Sequence, residues 1–336
     1  MVNRKEANVH RKSKSQGRTE KLPHGGMRPA QQHGGGILMK KNRNYLMFIT
    51  PAFILYTVFV VLPIVIVMFL GFTDWSGLGE IHFVGFKNFV TIFTDSRFAP
   101  EFFNALKNNL KYLLCVWLII TPFQYLVAYL LYIKIPAHKY IKFMVFLPYV
   151  ISTTIVSFFA MLLFNPNIGF LNTMLTSFGM EPGAWFGDPK WAFKLLIILI
   201  LWQGSGSGIM IFYSNFMDIS QDVMEASRID GCTEWQRFFH ILLPLSLPSC
   251  ASNITMSTIW ALAIFDLPFI LGGTNGGIGG TLDFANTVFY RYTFGSGLNG
   301  KSDLGFGASI VVIMFIVMMV VTFIQNKVLA KFEYDN

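Results

Sequence analysis

Long apolar runs separated by short polar breaks set the pattern of the chain, and their length limits what they can be. Six of them, with cores near 46–72, 110–133, 143–164, 195–216, 247–271 and 306–324, reach the roughly 20 residues that a helix needs to cross the hydrocarbon layer of a bilayer. None alternates apolar and polar residues as a membrane β-barrel strand must. The pattern predicts an all-α integral membrane protein with six transmembrane helices, and an even number of spans leaves both termini on one side. Residues 45–331 form this domain, 1–44 precede it as a disordered basic tail, and 332–336 close the chain. Between the first two runs, FVGFKNFVTIF at 83–93 has the phenylalanines and valines of a segment lying along the membrane surface, and 98–106 begins a short helix.

The pattern changes between the fourth and fifth runs, at 217–246. Ile219, Val223, Ala226 and Ile229 recur at helical spacing, and Gly231 stands where a left-handed residue would end the helix. Thr233 with Gln236 three residues on forms a capping-box pattern, and Trp235, Phe238, Phe239 and Leu242 then line one face of a second helix that Pro244 ends. Two short amphipathic helices joined at a glycine read either as a knob that docks into a groove on a soluble partner or as a loop lying on the membrane surface.

Composition and charge supply the compartment and the orientation. With 53% hydrophobic and 13% charged residues, the 336-residue chain is too apolar to be water-soluble. Its formal charge of +8 is a topology signal rather than a nucleic-acid footprint, because basic residues collect at one set of span ends. The tail is rich in them from Arg4 to Arg43; Lys134, Lys139 and Lys142 follow the second run, Arg228 and Arg237 the fourth, and Lys327 and Lys331 the sixth. This predicts a multi-pass protein of the cell (inner) membrane with both termini and the 217–246 loop in the cytoplasm. The first apolar run is too long and begins too late for a cleavable signal, so it is expected to remain as an anchor. Cys115, Cys232 and Cys250 have no paired spacing, and neither a disulfide nor a metal site is implied.

Glu225, Ala226, Gly231, Ile241, Leu243 and Pro244 stand at the spacing of the EAA signature, so the chain resembles the permease subunits of binding-protein-dependent ABC importers, roughly from Tyr45 to Lys331. FVGFKNF at 83–89 and IWALAIFDLPFILGG at 259–273 are similar to the carbohydrate-uptake branch, which includes maltose and multiple-sugar permeases. The resemblance implies the type I importer permease bundle and places Glu225, Ala226, Ser227, Asp230, Gly231, Ile241 and Pro244 in a cytoplasmic loop that couples to an ATP-hydrolysing subunit. It implies a second homologous permease in a heterodimer, two ATPase subunits, an extracytoplasmic solute-binding protein, and no cofactor or catalysis of the chain's own, ATP being bound by the partner. Ser227 replaces the second alanine of the signature, and Cys232 stands where alanine is common.

Other features bear on cargo. GSGLNGKS at 295–302 satisfies the phosphate-loop pattern, but it falls in an outer loop and is followed by DLGFG, an unlikely helix start, so it is expected to be a flexible connector. The fourth and fifth runs concentrate uncharged polar side chains, of which Gln203, Asn253, Thr255, Ser257 and Trp260 are candidates for a sugar path. The same groups also serve as hydrogen-bonding glue between helices. Asp266 is either an interfacial residue before Pro268 or a substrate contact at the outer mouth. Missing proton-relay carboxylates speak against a secondary transporter, the absence of any Arg or Lys found in the spans speaks against an anionic cargo, and a sugar or oligosaccharide is the expected cargo. Two alternatives remain at this stage: a non-sugar solute such as glycerol phosphate, and a membrane sensor whose loop recruits a soluble signalling protein.

Overall fold

The computed structural model describes residues 35–295, 300 and 302–334. Most of the predicted tail lies outside them, but the first helix, α1 (Gly35–Tyr56), begins inside the segment read as tail, where no proline interrupts the sequence before Pro51. The remaining α-helical segments in chain order are α2 (Leu62–Leu70), α3 (Lys87–Thr94), α4 (Phe98–Cys115), α5 (Thr121–Tyr132), α6 (His138–Val150), α7 (Thr153–Leu163), α8 (Phe170–Ser177), α9 (Pro189–Met217), α10 (Gln221–Ile229), α11 (Glu234–Arg237), α12 (Leu243–Leu262), α13 (Asp266–Gly272), α14 (Ala285–Thr293) and α15 (Leu304–Tyr334). Among the described residues, five helices are long and apolar enough to cross a membrane: Leu46–Leu70, Phe98–Tyr132, Pro189–Met217, Cys250–Gly272 and Leu304–Lys331. The sixth expected span is the pair α6 and α7, bent by 96°.

That bend is the largest departure from the sequence reading, which had one straight third helix. Ile151 and Ser152 are extended, with ψ of 134° and 135°, so no helix runs through them. An exposed break would leave backbone groups unpaired in lipid. Gln203 of α9 closes part of the gap by donating to the Ile151 carbonyl at 3.0 Å and to Thr153 Oγ1 at 3.2 Å. The second span also differs: the short helix expected at 98–106 is the first part of α4 and continues into the span.

Prolines elsewhere are absorbed by a repeated device. Five-residue π segments at Thr57–Val61, Val116–Ile120 and Phe238–Leu242 each end two residues before a proline, Pro63, Pro122 and Pro244. Proline cannot donate to the carbonyl four residues back and its ring crowds that carbonyl, whereas a wider π turn shifts the hydrogen-bond register. Pro244 therefore does not end the second helix of the loop; the chain stays helical into α12.

Within Phe59–Asn336 the buried side chains fall into three groups. Tyr112, Leu196 and Phe284 centre one, between α4, α9 and the start of α14. Tyr125, Phe212, Phe216, Phe238 and Leu242 centre the second, where α5 and α9 meet the base of the loop. Phe102, Val288 and Ile310 centre the third, joining α4, α14 and α15.

Candidate coupling surface and translocation path

α10 is a short polar helix whose ends are closed by its own neighbours. Ser220 Oγ accepts from the Asp222 amide at 3.2 Å at the start. At the end Gly231 has φ +76°, the Cys232 amide donates to the Ser227 carbonyl at 3.0 Å, and the Gly231 amide donates to the Arg228 carbonyl at 3.1 Å. That pair of bonds is a Schellman termination and requires a left-handed residue at Gly231. The capping box follows, with the Thr233 amide donating to Gln236 Oε1 at 2.8 Å and the Gln236 amide to Thr233 Oγ1 at 3.3 Å.

Which face of α10 is buried decides what the helix can do. Met224 and Ser227 are turned inward, Met224 against the Tyr125 and Phe238 group. Ala226, Glu225 and Asp230 are exposed, and Ile229 is 87% exposed. Val223, Ala226 and Ile229 thus form an apolar line that points away from the protein, with Glu225 and Asp230 exposed near it. Ile241 and Pro244 do not share this surface; both are half-buried at the foot of the fifth span. Trp235 and Phe239 are exposed and stacked at 6.0 Å, so of the four aromatic and aliphatic residues expected on one face only Phe238 and Leu242 are buried.

Sequence reasoning missed the anchor of the loop. Glu234 forms an ion pair with the buried Arg237, and the Tyr129 hydroxyl of α5 donates to the Glu234 carbonyl and to its carboxylate, both at 3.0 Å. Glu234 and Arg237 three apart beside a capping box were the available signal, but Tyr129, which bonds to Glu234, lies 105 residues away in the sequence.

The candidate path residues separate into different roles. Trp117 Nε1 donates to Thr258 Oγ1 at 2.9 Å, and the Thr258 hydroxyl donates to Gln325 of α15. Gln325 Nε2 donates to Thr255 Oγ1 at 3.3 Å, and Thr255 donates to Asn326 Oδ1 at 2.8 Å. Thr255 is thus a link between α12 and α15, and Gln203 is the brace already described. Asn253 is buried with its Nδ2 unpartnered, Ser257 is half-buried and Trp260 is 74% exposed. Asp266 is exposed at the first position of α13. Lys111 corrects the expectation that the spans carry no basic residue: it is exposed roughly 20 Å along α4, with Nζ 5.8 Å from the Phe193 ring centroid.

The segment 263–293 is braced by amides. Pro268 cannot donate to the Ile264 carbonyl; Asn286 Nδ2 reaches Ile264 O at 3.4 Å and Ala263 O at 2.8 Å. Asn108 holds Gly280 O and Asp283 O, both at 2.9 Å, and Asn109 holds Leu262 O at 3.2 Å and the Ala285 amide at 2.9 Å. Arg291, buried, pairs with Asp283 at 2.7 Å and Glu101 at 3.1 Å. The phosphate-loop match at 295–302 falls largely outside the described residues. Its flanks are helices α14 and α15 rather than a strand and a helix, and Ser302 Oγ donates to the Thr293 carbonyl at 2.7 Å. DLGFG does start a helix, since the Asp303 carboxylate accepts from the Phe306 amide at 2.8 Å ahead of α15.

Residues 35–332 match the family described as the inner membrane component of binding-protein-dependent transport systems. The chain belongs to this family. It is a multi-pass membrane permease subunit of an ABC importer and not itself an enzyme. Among curated proteins it is 30% identical to the probable ABC transporter permease YurN of Bacillus subtilis, over 84% of this chain and 94% of that one. It is 29% identical to the arabinooligosaccharide permease AraP of the same organism (88% and 90% covered) and 28% to the trehalose/maltose permease MalF of Thermococcus litoralis (87% and 94%). In three dimensions it is similar to a chain of a bacterial transporter that imports alginate, with a TM-score of 0.73 and 21% identity over 88% of this chain and 98% of the other. That likeness carries the permease fold.

Proposed function

We propose that this permease admits a sugar or oligosaccharide handed over by an extracytoplasmic binding protein, and that α10 receives the force of a separate ATPase on the cytoplasmic side. The observation that carries the coupling reading is the outward stripe of α10: Val223, Ala226 and Ile229 face away from the protein although every other apolar surface need of that helix is met by Met224. An exposed apolar line with Glu225 and Asp230 near it, on a helix rigidly closed at both ends, suits insertion into a cleft of a partner. The carbohydrate reading rests on the named cargoes of relatives that align along most of the chain.

The working assembly is this chain with a second, similar permease, two ATPase subunits and the binding protein. ATP-driven closure of the ATPase pair would draw the two coupling knobs together and tilt the attached helices, opening the path outward; hydrolysis would reset it. Both termini and the loop then lie in the cytoplasm, as the basic residues at span ends suggest. Reconstitution of the assembly and a carbohydrate panel presented with the binding protein test the reading. Stimulated ATP turnover with at least one sugar is expected; stimulation confined to non-carbohydrate solutes would overturn the cargo assignment.

A further inference from the structure

We propose that the crevice between α6 and α9 binds the headgroup of an anionic phospholipid of the cytoplasmic leaflet. The inference rests on the membrane orientation given above, not on the identity of the cargo. The two helices meet closely because Gly206 has no side chain: a Cβ there would stand 3.0 Å from the Val145 carbonyl oxygen and 3.3 Å from Phe146 Cα. Next to this contact is a crevice of about 350 Å³ lined by Lys139, Lys142, Phe143, Phe146 and Met210.

Its charge is not answered by an ion pair among the described residues. Lys139 and Lys142 are both exposed. They stand three apart on one helix, a spacing at which like charges repel, and α6 contains no acidic residue to relieve them. Lys142 Nζ lies 4.4 Å from the Tyr213 ring centroid of α9, which steadies the ammonium at the rim. Two cations above an apolar floor are the complement of one particular shape of ligand, an anionic head joined to hydrocarbon. Phe143 is 63% and Met144 66% exposed beside the lysines, so acyl chains descending from the headgroup meet apolar side chains. A soluble anion would gain only from the charge, whereas a phospholipid gains from both parts, and basic pockets at the cytoplasmic ends of spans attract anionic lipids for this reason.

The test uses the full importer in nanodiscs of phosphatidylcholine and phosphatidylglycerol, with lipid retained after detergent release read by native mass spectrometry. Phosphatidylglycerol is expected to be retained in preference, with retention falling about fivefold for each of Lys139→Gln and Lys142→Gln. Lys327→Gln, an exposed basic position of α15 on the same proposed side that does not line the α6–α9 crevice, is expected to leave the preference intact. Equal retention by parent and double variant would overturn the proposal. So would displacement of the lipid by millimolar inorganic phosphate, which would mark a free-anion site, or loss of the ATPase subunit from the double variant, which would make the crevice a protein contact. Failure of every sugar to stimulate ATP turnover would leave the lipid readout untouched, so the two readings fail separately.

Discussion

α10 and the α13–α14 region are both built from short helical segments, and they are held in opposite ways. Every bond that closes α10 comes from within a few residues: the Asp222 amide to Ser220 Oγ, the Cys232 amide to the Ser227 carbonyl, and the Gly231 amide to the Arg228 carbonyl. The α13–α14 region is tied instead to α4, through Asn108, Asn109 and Glu101, across sequence separations of 172 to 191 residues. A locally closed helix can move as a unit without breaking its own bonds, which is what a coupling element needs. A region stitched to a distant helix resists such movement, and its energetics rest on a few buried polar groups.

The difference is broken most severely at Arg291. Arg291→Leu leaves Asp283 buried with no cation, and loss of one partner of a buried pair costs about 3–5 kcal/mol. Thermal unfolding in detergent is expected to show a large drop, and an unchanged midpoint would mean that the α4 amides alone hold the region. Gly231→Val acts on the other side of the comparison. A β-branched residue held at φ +76° costs about 1–3 kcal/mol, although a Cβ there would meet no neighbour within 4 Å. The strain is confined to the end of α10, so membrane insertion should persist while ATP-dependent uptake falls severely; uptake at the parental rate would dissociate the Schellman turn from coupling.

The smallest expected effect is on pH dependence. Burial raises the Asp283 carboxyl above the usual carboxylate range, with Arg291 pulling the other way. A carboxyl whose folded value exceeds its unfolded one takes up its proton earlier in the folded state. Its contribution is therefore fully present below about pH 3.9 and is lost as pH rises through the raised folded value. The stability of the parent minus that of Asp283→Asn should decline as pH is raised from near 4. A difference that grows over the same interval would show that the ion pair outweighs burial.

The same contrast explains what could be read in the sequence. The glycine termination of α10, the capping box of α11 and the apolar length of most spans depend on residues close together along the chain, and the structure has them where the pattern put them. The 96° bend was not legible, because it follows from two extended residues whose carbonyl partner, Gln203, is on another helix. That Thr255 links α12 to α15 was not legible for the same reason: its partners Gln325 and Asn326 are about 70 residues away, and nothing in its own neighbourhood reveals them. Pro244 misled in a different way, since a proline reads as a stop unless the π segment before it is known.

Ile229 offers the most direct measurement of the proposed coupling surface, because at 87% exposure its replacement disturbs little packing among the described residues. Ile229→Asp should leave insertion, melting temperature and the partner permease in place while the ATPase subunit no longer co-purifies and uptake is lost. Full retention of the ATPase with parental uptake would contradict the assignment of the outward face of α10 as the place where nucleotide hydrolysis enters this protein.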